Sequence, residues 1–223
     1  MIKIDSVFFD LDGTLWDASS ATASAWEEVL RNNPEIVPRE RPDRSFIRRY
    51  MGLTNEEIAR IMFPNLPLEK AFSYVKKSCD IENKLLPEIG GELYPDVRTV
   101  LKELHECGYK LFIVSNCQDG YIDAFLHAHS MYDVINDTES SGRTGLSKEE
   151  NIKLVIKRNC VSSPVMVGDT ASDFEAAREN GIPFIYAAYG FGEKYGRGKC
   201  DQYDVRLEKL SDLPAVFGER KHK

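Results

Sequence analysis

Long apolar runs are missing from this sequence. No stretch of its 223 residues approaches the roughly 18 to 20 uninterrupted apolar residues of a membrane-spanning helix, and the N-terminus leads straight into a short strand-like segment carrying two acids. A protein in solution, unexported and with no membrane partner, is expected. Cysteine is scarce and scattered: Cys79, Cys107, Cys117, Cys160 and Cys200 are odd in number and form no C-x-x-C or Cys/His cluster of the kind a zinc site needs. They read as reduced thiols of a cytoplasmic protein. An excess of positive charge is absent too. Lys and Arg number 29 against 36 Asp and Glu, and the resulting net charge of -7 argues against a surface for generic polyanions, so nucleic acid is not an expected partner. The chain also holds no internal repeat and no low-complexity tract.

What is present suits a folded globular protein with a sizeable core: 42% of residues are hydrophobic and 29% charged. Apolar runs of strand length recur, each ending in a polar or glycine-containing turn: Val7 to Phe9, Leu111 to Val114, Val165 to Val167 and Phe184 to Ala187. Between them lie helical patterns, such as Val97 to Cys107 with Gly108 at the stop and Ser172 to Asn180 with Gly181 at the stop. This alternation predicts an α/β fold, a Rossmann-like doubly wound parallel sheet. Residues 17–89 break the alternation with amphipathic helical patterns at Ala18 to Leu30 and Thr54 to Met62 and no convincing strand, which predicts an inserted all-helical domain. Residues 1–16 and 90–223 then form the α/β core, with Pro87 and Gly90-Gly91 marking the return and a frayed basic tail from Gly218 to Lys223.

The chemistry gathers at predicted strand ends. VFFDLDGTLWD places Asp10 and Asp12 on one side of an extended chain end, just where open α/β sheets bind ligands. Such a pair suits a metal, a nucleophile or acid/base work. KLFIVSN delivers Ser115 and Asn116 to a second strand end ahead of a helix start, a combination suited to an anion. VMVGDTASD delivers Asp169 to a third, with Asp173 in the first turn of the next helix. Three acids at adjacent strand ends repel unless a cation such as Mg²⁺ sits among them. Ser147 and Glu150 form a capping-box pattern that puts Lys148 in a first helical turn, where a lysine is locally unfavourable; that conflict points it at carboxylates or phosphate.

Taken together and in this order, DLDGTL, the Ser115-Asn116 strand end, Lys148 and GDTASD resemble the four motifs of the haloacid dehalogenase superfamily, over residues 1 to about 216 and with a helical cap after the first motif, as in its phosphoglycolate-phosphatase-like branch. The resemblance implies a Mg²⁺-dependent phosphatase of a small phosphorylated metabolite. Asp10 would be the nucleophile that forms an aspartyl-phosphate and Asp12 the acid/base. Mg²⁺ would be held by the Asp10 side chain, the Asp12 backbone carbonyl and Asp169, with Asp173 acting through water or by positioning Lys148. Ser115, the Asn116 backbone and Lys148 would hold phosphoryl oxygens. A carboxylate at position 12 departs from the dehalogenating and phosphonate-cleaving branches, while a sugar-phosphate mutase and a non-catalytic phosphate-ligand sensor stay open as alternatives. Lys148 is followed by Glu149 where the family often has proline, which keeps Arg143 and Lys153 in view as substitutes. Within the cap, Arg48 and Arg49 just before Gly52 are the candidates for contact with an anionic leaving group. Trp16 is expected at the hinge, and Gly190-Phe191-Gly192 as a flexible loop at the edge of the site. The expected assembly is a monomer or homodimer.

Overall fold

The structure, a computed structural model, describes residues 4–195 and 200–218. In chain order the elements are β1 (Ser6–Phe9), β2 (Trp16–Asp17), α1 (Ser19–Asn32), α2 (Arg44–Tyr50), α3 (Asn55–Met62), α4 (Leu68–Ile89), β3 (Glu92–Leu93), α5 (Val97–Glu106), β4 (Lys110–Ser115), α6 (Tyr121–His129), β5 (Asp137–Ser140), α7 (Ser141–Thr144), α8 (Lys148–Arg158), β6 (Pro164–Gly168), α9 (Ala171–Glu179), β7 (Phe184–Ala187), α10 (Phe191–Tyr195), β8 (Val205–Leu207), a 3₁₀ turn (Leu210–Asp212) and α11 (Leu213–Phe217).

Strand β1 carries apolar residues on both faces because helices cover both sides of a parallel sheet. The sheet has six strands in the order β5-β4-β1-β6-β7-β8, every pairing parallel. The period of two along β1 divides the core: Val7 and Phe9 pack in one layer with Leu111 and Ile113, while Phe8 joins Phe112 and Met166 in the other. In register, Phe9 pairs with Ile113 on one side and Val167 on the other, so β1, β4 and β6 end within two residues of one another. This alignment brings the three candidate strand ends together.

Two sheet strands lack the apolar runs that mark the others. Strand β5, Asp137-Thr138-Glu139-Ser140, is an edge strand, and β8 forms the opposite edge. Strand β5 is held from helix α8 by Arg158, whose guanidinium donates to Asp137 at 2.6 and 2.8 Å and to the nearly buried Glu139 at 2.6 Å. Burial acts to raise the Asp137 pKa, but the Arg158 and Asn159 side chains outweigh it and hold the carboxyl below its usual value. Arg158→Ala is expected to cost about 1–2 kcal/mol after discounting for solvent, because it strands Glu139. The contribution from Asp137 is complete above its ordinary pKa of 3.8 and fades as pH falls through the lowered one, so urea midpoints of variant and parent should converge in acid.

Between β2 and β3 the chain forms four helices and, among the described residues, no strand. They bury their own apolar cluster, including Trp26, Phe46, Met62, Phe63, Tyr74 and Val75. The chain enters and leaves this segment through an antiparallel pair, Trp16 opposite Leu93 and Asp17 opposite Glu92. Helix α4 runs on past Pro87 and stops at Gly90, whose φ of +65° ends it. Pro87 therefore lies in the last turn of the helix rather than at the return to the sheet; so near the C-terminus its missing N–H removes a single intrahelical bond. Residues 219–223, the expected basic tail, lie outside the described residues.

Candidate active site

Asp10 follows β1 directly, its N–H donating to the Val167 carbonyl at 2.9 Å, so the sheet continues to hold the backbone one residue past the strand. The chain then doubles back: the amides of Thr14, Leu15 and Trp16 all donate to the Leu11 carbonyl. Gly13 makes the turn at φ +86°, and a Cβ there would land on the Asp169 carboxylate, so both conformation and space require glycine. Asp169, at the end of β6, is fully buried. Its Oδ2 accepts from the amides of Phe191 at 2.7 Å and Gly192 at 3.1 Å, and its Oδ1 from the Thr14 hydroxyl at 3.4 Å. The expected flexible loop at Gly190-Phe191-Gly192 is thus the start of α10, and its first amides anchor a site carboxylate; residues 196–199 lie outside the described residues.

Asp173 belongs to a capping box at the start of α9. One of its oxygens accepts from the Thr170 hydroxyl and amide at 2.7 and 3.0 Å, which frees the other. That second oxygen lies 2.6 Å from Lys148 Nζ, which is also 2.6 Å from Oδ1 of Asp10. Lys148 reaches this point because the Ser147–Glu150 capping box starts α8 at residue 148 and aims its side chain inward, leaving it 4% exposed. Arg143, the substitute kept in view, is engaged elsewhere with Asp119 and Asp123.

Oxygens of Asp10, Asp169 and Asp173 lie within 4.8 Å of one another. Their electrostatics are lopsided. Burial pushes Asp10 up to about 6 against the pull of Lys148, and raises Asp169 well above the carboxylate range with help from the Asp173 and Asp10 charges. For Lys148, burial opposes the charge but the two aspartates prevail and keep the ammonium protonated. One cation among three buried carboxylates, an all-oxygen donor set, suits a hard divalent ion.

The Asp12 carboxyl points away from this cluster. Tyr121 of α6 donates to it at 2.8 Å, and its pKa is raised well above the usual range by burial and then by the charge of Asp10. Ser115 is buried, its hydroxyl accepting from the Cys117 amide at 3.3 Å. The Asn116 side chain turns outward, donating to the Gly52 carbonyl at 3.0 Å and accepting from Ser141, so it links the helical segment to β4. Asp12, Ser115 and Tyr121 face a cavity of about 60 Å³ whose opposite wall comes from α1 to α4. Neither Arg48 nor Arg49 lines it. Arg48 donates to Asp17 at 2.8 Å and to Tyr195 at 3.2 Å, while Arg49 pairs with Glu40 at 2.8 Å. Trp16 is fully buried, edge-on to Tyr121 and Phe125.

Thr14, Tyr121 and the α10 amides were not among the sequence candidates. Tyr121 had a usable signal, since it opens a helix directly after the Ser115-Asn116 strand end. The amides had none, because backbone donors carry no residue signature.

The family model of haloacid dehalogenase-like hydrolases matches residues 7–187. Among curated relatives, the phosphoglycolate phosphatase of Aliivibrio fischeri is 29% identical over 238 residues, covering 96% of each chain. That of Vibrio cholerae is 27% identical over 206 residues, covering 88% of this chain and 87% of its own. Among solved structures, a haloacid dehalogenase-like family hydrolase from Streptococcus pneumoniae superposes with a TM-score of 0.80 at 23% identity, covering 97% of this chain and all (100%) of that one, a likeness of fold.

Proposed function

Because the chain belongs to the haloacid dehalogenase-like hydrolases, we propose that it is a Mg²⁺-dependent phosphomonoesterase that cleaves a small phosphorylated metabolite through an aspartyl-phosphate on Asp10. The observation that carries the reading is the buried cluster itself, three carboxylates with Lys148 bonded to two of them. The names of the curated relatives make 2-phosphoglycolate a candidate substrate. Residues 17–89 act in this reading as a cap over the core, supported by their separate apolar cluster. The described cysteines are free thiols, which supports a cytoplasmic protein. No described helix is long and apolar enough to cross a membrane. We take the working unit to be a monomer or homodimer.

In the first step a carboxylate oxygen of Asp10 attacks phosphorus, and the bond from phosphorus to the ester oxygen breaks. Asp12, whose pKa is raised by burial and then by the Asp10 charge, gives a proton to the leaving oxygen, while Tyr121 fixes its orientation. In the second step Asp12 takes a proton from water, the water oxygen attacks the same phosphorus, and the acyl-phosphate bond breaks to free Asp10 and phosphate. Lys148 has three N–H donors; two hold Asp10 and Asp173, and the third is available to a phosphoryl oxygen, beside Ser115 and the Asn116 amide. Mg²⁺ at Asp10, Asp169, Asp173 and the Asp12 carbonyl would supply charge neutralisation of the phosphoryl oxygens.

The test is phosphate release from p-nitrophenyl phosphate and a panel of small phosphate esters, measured in EDTA and after Mg²⁺ is restored. Turnover should vanish in EDTA and return with the metal. Release that ignores EDTA would sink the metal-dependent reading, and isomerisation of a sugar phosphate without release would replace it with a mutase.

A further inference from the structure

The wall of the cavity opposite Asp12 holds a buried acid that the steps above do not use. Glu82 lies on α4 and is 5% exposed. Its Oε1 accepts from the Ser78 hydroxyl at 3.0 Å, and its Oε2 from the Gln118 amide at 3.3 Å and the Thr22 hydroxyl at 3.4 Å. These donors come from α4, α1 and the loop after β4, so the carboxyl is gripped from both the helical segment and the core. The neighbouring Asn83 donates to the Asp119 carbonyl at 2.8 Å and fixes the helix over that loop. The remaining walls are largely apolar, with Trp26, Phe46 and Tyr50 among them. No lysine, arginine or histidine lines the cavity among the described residues.

That balance decides what can enter. A carboxylate placed here meets the Glu82 carboxyl and finds no cation among the described lining residues, and a buried uncompensated anion is costly. A carboxylate group offers roughly four lone-pair sites, of which three are taken at Glu82, so an acceptor stays open for one more donor. At about 60 Å³, against the roughly 10–15 Å³ that one water needs by the same measure, the cavity suits a short group of a few heavy atoms. Burial also pushes Glu82 up to about 7, against the pull of its three donors.

We propose that Glu82 selects the leaving group: it accepts a hydrogen bond from a hydroxyl of a short, uncharged polyol phosphate and turns away esters whose leaving group is anionic. This rests on the phosphatase reading and departs from the 2-phosphoglycolate suggested by the names of the relatives. Glycerol in place of glycolate is a small leaving group of this kind.

The experiment compares kcat/KM for glycerol 3-phosphate, 2-phosphoglycolate and ethanolamine phosphate, with acetyl phosphate as the reference, in Mg²⁺. The parent protein should prefer glycerol 3-phosphate to 2-phosphoglycolate by at least about tenfold. In Glu82→Gln, which keeps the shape and an acceptor but drops the charge, that ratio should fall by about tenfold. In Glu82→Leu, which has no acceptor, glycerol 3-phosphate should lose about tenfold relative to acetyl phosphate, mostly through KM. Because each readout is a ratio within one protein, a general loss of fold or chemistry cancels. The proposal is overturned if 2-phosphoglycolate or ethanolamine phosphate is the best ester of the parent, or if the ratios are the same in all three proteins. If the parent releases no phosphate even from acetyl phosphate, the phosphatase reading itself has failed.

Discussion

Asp10→Asn should lower phosphate release by at least about 10⁴-fold while leaving the protein folded. The asparagine fills the same space between β1 and β6, and its carbonyl oxygen can still accept from Lys148 where Oδ1 of Asp10 does now. What it lacks is a carboxylate oxygen able to form an acyl-phosphate, so the step that breaks the ester bond has no nucleophile. Stability should move the other way. Three carboxylates share one buried ammonium, and the Asp10 carboxyl is raised because burial and the Asp173 charge outweigh Lys148. Removing that charge relieves repulsion, so in EDTA the urea midpoint of the variant should equal or exceed that of the parent. Acid quench during turnover, followed by peptide mapping, should find a phosphoryl group on the peptide containing Asp10 in the parent and none in the variant. Residual activity above about 1% of the parent would rule out Asp10 as the nucleophile.

The parts of this site that sequence could reveal are those built by local rules. Asp10, Asp169 and Ser115 were legible because buried parallel strands read as apolar runs and ligands gather where those runs stop. Lys148 was legible through a conflict, a cation in the first turn of a helix whose capping box is otherwise ideal. The edge strands were not, because β5 is entirely polar and β8 is three residues with an arginine at its centre. Strands β2 and β3 are two residues each, too short for any periodicity, and exist only because the chain must leave and re-enter the sheet side by side.

Longer-range features stayed hidden for a different reason. Asp17 captures Arg48 from 31 residues away, an ion pair that no local pattern announces. Glu82 looks from sequence like one more charge on a solvated helix face. It is buried because α4 packs against α1 and lies over the loop after β4, a tertiary fact that no window of residues records. Asp169 needs two amides contributed more than twenty residues later, and Gly190 is there because a Cβ would strike the Gly13 carbonyl and the Asp169 side chain.

Lys148→Met tests the same cluster from the side of its only cation among the described residues. Methionine keeps the length of the stem and removes the ammonium, which leaves Asp10, Asp169 and Asp173 buried within 4.8 Å of one another with no positive charge beside them. Losing one partner of a buried ion pair costs about 3–5 kcal/mol, so unfolding by urea in EDTA should be displaced by that amount. Mg²⁺ should restore much of it, and the rise in stability on adding the metal should be larger for the variant than for the parent, because the departing lysine no longer opposes a second cation in the cluster. Activity should not follow stability. With Mg²⁺ saturating, kcat should stay down by about 10³-fold, since Asp10 has lost the donor that orients Oδ1 and the phosphoryl group has lost a donor for one of its oxygens. Fluorescence-monitored unfolding with and without Mg²⁺, beside steady-state kinetics on the same preparations, separates the two effects. A parent and variant that unfold alike in EDTA would mean that the carboxylates are protonated and need no cation. A variant whose activity returns together with its stability would reduce Lys148 to a counter-ion, and the role of holding nucleophile and phosphoryl group would pass to Ser115 and the backbone around it.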